Sequence, residues 1–107
     1  QKLLALDDRP TAIFAANDDT AAGVIRVAGL RGLSVPRDLS VCGFDDTPIS
    51  RHIFPALTTV RQPTRDMGRV ATLELLNSIR DPDAGRMVPI QYTLELRESI
   101  AAPRRRR

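Results

Sequence analysis

Ser40-Val41-Cys42-Gly43-Phe44-Asp45-Asp46-Thr47-Pro48 decides the reading of this chain. An apolar run ends abruptly in two carboxylates, and a turn follows. The same design stands upstream, where Thr11-Ala12-Ile13-Phe14-Ala15-Ala16 runs into Asn17-Asp18-Asp19. Short, continuous apolar runs with these boundaries suit strands buried on both faces, as in a parallel sheet. Two such strands delivering amide and acidic groups from their C-terminal tips describe one edge of a binding crevice in an open α/β sheet.

Working outward, a helix is expected from Asp18 or Asp19, either of which can cap it, to about Arg31. Ala21, Val24, Ile25 and Ala28 form its apolar face. Gly32 is placed to end it, and Pro36 prevents its return. Thr47-Pro48 opens a turn that reaches His52, and Leu57–Val60 reads as a third strand. Thr64 is a candidate cap for a helix over residues 65–80, with Met67, Val70, Ala71, Leu75 and Ile79 facing inward. Asp81-Pro82-Asp83-Ala84-Gly85 is a turn by composition. Val88–Leu96 alternates apolar and polar residues, the pattern of a half-buried strand. Alternating strands and helices give an α/β class. Four strands are few for a free-standing domain of this kind. The opening residues Gln1-Lys2-Leu3-Leu4-Ala5-Leu6 read as the end of a helix already under way, so a preceding N-terminal part is expected.

The bulk properties exclude several classes. With 107 residues the chain holds at most one domain. No apolar run reaches the roughly 18–20 residues of a membrane span. The sequence pI near 10.0 suggests nucleic acid, but Arg104–Arg107 carry that signal. Without this basic tail, 12 basic residues face 13 acidic ones, and the body has no footprint for DNA. The one cysteine, Cys42, lies in an apolar run; it reads as a structural thiol in a reduced, cytoplasmic compartment. His52 has no neighbours with which to form a triad or a metal cage.

Asp7-Asp8, Asp18-Asp19 and Asp45-Asp46 invite an enzyme reading. No phosphate loop, nucleophile elbow or HExxH motif accompanies them, and the only lysine is Lys2. A binding function needs less. Asp accepts hydrogen bonds and Asn both donates and accepts, which suits sugar hydroxyls and purine edges. Asn17 and Asp45, presented by separate strands, are the leading candidates. Asp18 stands between ligand contact and helix cap, and Asp46 between ligand contact and turn former. No cofactor, metal or catalytic residue is expected.

Pro10-Thr11-Ala12-Ile13-Phe14-Ala15-Ala16-Asn17-Asp18, Ala21-Ala22-Gly23, Gly32-Leu33-Ser34-Val35-Pro36-Arg37-Asp38-Leu39-Ser40-Val41, Gly43-Phe44-Asp45-Asp46 and Pro55-Ala56-Leu57-Thr58-Thr59-Val60-Arg61-Gln62-Pro63 stand in this order. Together they resemble the C-terminal part of LacI/GalR-family transcriptional regulators, over about residues 10–100. The resemblance implies a partial type I periplasmic-binding-protein-like fold, a parallel sheet flanked by helices. It implies that residues 1–60 and 92–100 belong to the C-terminal lobe, and that residues 64–91 pack with an N-terminal lobe. That lobe and the helix-turn-helix domain are not in this sequence.

The resemblance further implies effector contacts at Asn17 and Asp45, with Asp18 beside them, and places Thr64 and Met67 as candidates for the cleft rim. It implies a homodimer surface at Ala22, Ile25, Arg26, Ile53 and Phe54; for Ala22 and Ile25 a plain core role is the competing reading. The partners it implies are a sugar or nucleobase-like effector, a second copy of the chain, and DNA only through the helix-turn-helix. A sugar-binding component of a transport system shares the fold and is the alternative.

Overall fold

A computed structural model describes residues 2–103; the expected basic tail at 104–107 lies outside the described residues. The chain divides into two compact units. One runs to Arg61 and resumes at Leu94; the other is Gln62–Thr93.

In the first unit a 3-10 turn at Leu3–Ala5 precedes strand β1 (Ala12–Phe14), helix α1 (Asp18–Leu30), strand β2 (Ser40–Phe44), the short helix α2 (Ile49–His52) and strand β3 (Thr58–Arg61). Strand β4 (Thr93–Glu95) completes a four-stranded sheet ordered β1-β2-β3-β4. β1 and β2 run parallel, with Phe14 opposite Cys42; β2 and β3 run parallel, with Phe44 opposite Val60. The α/β class and the parallel arrangement read from the sequence therefore hold.

The core gathers Leu4, Ala15, Ala21, Ala28, Leu39, Val41 and Leu57. α1 contributes its small residues, so the helix lies close on the sheet. Its end follows the sequence signal: Gly32 adopts φ 70°, and the Leu33 N–H reaches back to the Ala28 carbonyl at 2.9 Å.

The segment after β4 stitches the parallel strands together. Ser99 Oγ donates to the Val41 carbonyl at 2.6 Å and accepts from the Thr58 N–H at 2.8 Å. The Val41 N–H bonds the Ser99 carbonyl. Fully buried Ser99 thus satisfies backbone groups of both β2 and β3.

Three expectations are corrected. β1 is not buried on both faces: it stands at the edge of the sheet, and Phe14 is 64% exposed, its ring edge-on to Phe44. The strand expected over Val88–Leu96 is confined to Thr93–Glu95, and Val88, Tyr92, Leu94 and Leu96 are exposed. Alternation marks which residues share a face, but a strand also needs a paired backbone.

The third correction concerns the second unit, which consists of helix α3 (Thr64–Arg80), a 3-10 turn at Pro82–Ala84 and the segment after it. The inward stripe expected on α3 is not buried, and Leu75 and Ile79 are 61% and 70% exposed. A helical period states which side is apolar, not what covers it, and no residue of α3 is buried. Thr64 is the first helical residue rather than the cap; Pro63 takes that position, without a side-chain bond.

Candidate functional site

Parallel pairing puts the C-terminal ends of β1 and β2 at the same end of the sheet. Asn17 follows β1 by three residues, and Asp45 follows β2 directly. Both are exposed. Asn17, not Asp18 or Asp19, caps α1: its backbone is still extended, and its Oδ1 accepts from the Thr20 N–H at 2.8 Å. The cap uses only the acceptor of the amide, and the Nδ2 donor is not part of it. Asp45 has φ 104°, and its N–H bonds the Val60 carbonyl at 2.8 Å. A non-glycine residue in this region is strained, and such residues concentrate at binding and catalytic sites.

Asp18 is corrected from its expected roles. It is fully buried at the start of α1, so a ligand has no surface of it to touch. One oxygen accepts from the Thr47 N–H at 2.7 Å and from Thr47 Oγ1 at 3.1 Å. The other accepts from Thr59 Oγ1 at 2.5 Å. Asp18 therefore ties α1 to the turn after β2 and to β3, and so sets the spacing of the strand tips. Gly43 makes this possible, because a Cβ there would collide with Asp18 Oδ1 and stand 2.7 Å from Leu57 Cδ2.

The expectation of a ligand contact at Asp46 is also corrected, since its side chain is 1% exposed and its oxygens are taken up within the protein. Arg97 Nη2 and Ser50 Oγ donate to Oδ1 at 2.5 and 3.0 Å. Arg51 Nη2 and Arg61 Nε donate to Oδ2, each at 2.7 Å. Burial pushes this carboxyl upward, but the hydrogen bonds from Arg97, Arg61, Arg51 and Ser50 outweigh it and hold Asp46 well below the usual carboxylate range. The unfolded chain, with an ordinary carboxyl near pKa 3.9, binds the extra proton first. Stability from this cluster is thus complete above about pH 4 and is lost as the pH falls toward the depressed folded value. Acid titration of the melting temperature is expected to show a shallower decline below pH 4 in Asp46→Asn than in the unaltered chain; parallel curves would contradict the assignment.

The remaining candidates lie on other elements. Thr64 and Met67 lie on α3 in the second unit. Ile25 and Ile53 are half-buried against the core, in keeping with the core reading for Ile25; Ala22 is half-buried, Arg26 exposed and Phe54 89% exposed. Cys42 is half-buried, and burial together with the charge of Asp18 pushes its thiol up, which makes it a poor nucleophile. His52 Nδ1 lies 2.6 Å from the Pro48 carbonyl. Among the described residues no group of His, Cys, Asp and Glu could hold a metal, and no helix is long and apolar enough to cross a membrane.

Sequence reasoning missed Thr47, Thr59, Gly43 and the arginines around Asp46. Thr59 is 41 residues from Asp18 and Arg97 is 51 from Asp46, so no local spacing announces either pair.

The model of the family described as periplasmic binding protein-like domain matches residues 1–100. The ribose operon repressor of Haemophilus influenzae is 39% identical over 101 residues, covering 94% of this chain and 30% of that protein. A LacI family transcriptional regulator from Lactobacillus casei, solved with bound glucose, is 34% identical with a TM-score of 0.71, covering 92% of this chain and 36% of that one. The lac repressor dimer, bound to operator and an anti-inducer, is 36% identical with a TM-score of 0.75, covering 87% and 32%. The chain thus spans about a third of the length of these relatives. It belongs to the periplasmic binding protein-like domain family, in the form carried by LacI-type transcriptional regulators.

Proposed function

We propose that this chain is the effector-binding and dimerisation portion of a LacI/GalR-type transcriptional regulator that senses a sugar or a related small polar ligand. The observation that carries the reading is the pair of exposed polar residues, Asn17 and Asp45, at the ends of adjacent parallel strands, the second in a left-handed backbone. An amide and a carboxylate offer a polyhydroxylated ligand both donors and acceptors. The likeness to a glucose-bound regulator supports the ligand class. The likeness to an operator-bound dimer supports a homodimer, with Ala22, Ile25, Arg26, Ile53 and Phe54 as its candidate surface, Ile25 and Ile53 adding to the core as well.

The regulator acts in the cytoplasm, catalyses no reaction and uses no cofactor. DNA is contacted by a helix-turn-helix outside these 107 residues. Ligand binding shifts the equilibrium between lobe arrangements, and DNA affinity follows by linkage.

The test is Asp45→Asn in the full-length protein, titrated calorimetrically with glucose, ribose and a purine base. Affinity for the ligand that binds is expected to fall at least tenfold, about 1.4 kcal/mol, with operator binding unchanged. Equal affinity in the variant overturns the assignment of Asp45, and turnover of the ligand overturns the non-enzymatic reading.

A further inference from the structure

Asp45 and Asp46 both adopt positive φ, 104° and 53°. Two consecutive non-glycine residues in this region are strained and persist only where the surroundings over-determine them. Asp45 has a backbone tether to Val60, described above, and is itself exposed. Asp46 is gripped from three elements. Arg61 ends β3, Arg51 and Ser50 belong to α2, and Arg97 follows β4.

Arg97 is the anchor. Its guanidinium also donates to the Leu57 carbonyl at 2.8 Å and to Ser50 Oγ at 3.0 Å, and its N–H donates to Thr58 Oγ1 at 2.9 Å. Arg61 is steadied by Glu95 at 3.2 Å. An isolated surface ion pair contributes little, but convergent charged hydrogen bonds to one buried carboxylate fix a geometry.

We propose that Asp46 is a positioning residue: held by Arg51, Arg61 and Arg97, it clamps the left-handed Asp45–Asp46 corner and so fixes where Asp45 is presented to a polar ligand. The role of Asp45 rests on the function proposed above; the clamp does not. A corner held before the ligand arrives spares binding the entropy of ordering it. The two neighbouring carboxylates thereby divide the work, one facing outward and one facing the protein.

Asp46→Asn separates charge from backbone preference, because Asn visits positive φ as readily as Asp. The readout is nuclear magnetic resonance of the full 107-residue chain without ligand: the HN–Hα coupling of Asp45 and the exchange rates of individual amides. In Asp46→Asn the Asp45 coupling is expected to move toward extended-strand values, and its amide to exchange about tenfold faster. The Val41 and Gly43 amides are expected to change less than twofold. An unaltered Asp45 coupling and exchange rate overturns the clamp. A uniform rise across β2 also overturns it, because Asp46 then merely stabilises the fold.

If Asp46→Asn gives no folded spectrum, Arg51→Gln decides, since it removes one exposed arginine and leaves two. A rise of threefold or more confined to the Asp45 amide supports the clamp, and anything less overturns it. No sugar enters this experiment, so its failure leaves the binding reading standing. Conversely, unchanged ligand affinity in Asp45→Asn overturns the assignment of Asp45 to the ligand and leaves the clamp.

Discussion

Asp18→Ala is expected to lower the unfolding free energy by about 4 kcal/mol, a large share of the 5–15 kcal/mol typical of a domain. The carboxyl is fully buried and accepts from Thr47 twice and from Thr59 once. Truncation removes three bonds and leaves the buried Thr59 hydroxyl and the Thr47 N–H without their acceptor, at about 1–3 kcal/mol for each orphaned group. It also uncouples the start of α1 from β3. Urea denaturation followed by far-UV circular dichroism checks the magnitude. The orphan argument makes a second demand: Thr59→Val should recover about 1 kcal/mol in the Asp18→Ala background while destabilising the unaltered chain. Strict additivity of the two changes would contradict it.

Gly43→Ala is expected to cost about 3 kcal/mol, the upper range for adding one carbon to a packed interior. The new methyl would meet Asp18 Oδ1 and Leu57 Cδ2, and the Asp18 Cα lies 3.3 Å away. A side chain alone cannot yield here, because the nearby backbone atom belongs to the first residue of α1. Helix and sheet must part slightly, which lengthens the Asp18–Thr59 bond. The same denaturation experiment gives the size. A loss below about 1 kcal/mol would mean that the helix moves freely over β2. Gly23, by contrast, has open space around its Cβ position, so its replacement by alanine offers a control in the same fold.

These two residues show where sequence reading ends. The strand at Ser40–Phe44, the helix from Asp18 and the C-terminal glycine at Gly32 are written in short-range patterns: apolar runs, a 3.6-residue period and a turn residue at the right offset. The exposed tips Asn17 and Asp45 follow from those patterns, because a polar residue just past an apolar run stays in water unless distant partners satisfy it. Asp18 carries the same local signal as Asp19, yet one is fully buried and the other exposed. Only the arrival of Thr59 and Thr47 separates them. Likewise Asp46 looks like a second ligand carboxylate until Arg97, 51 residues later, reaches it.

α3 marks the converse failure. Its amphipathic period predicts the helix correctly and its burial incorrectly, because a period states which side is apolar, not what covers it. The sequence by itself therefore determined the order of strands and helices, the α/β class and the polar tips, all set by interactions within a few residues. The tertiary structure alone decided which carboxylate faces outward, which is locked inside and which is clamped by arginines. Those choices depend on donors brought together from distant parts of the chain, and the desolvation of a carboxyl group is settled only when its partners are in place.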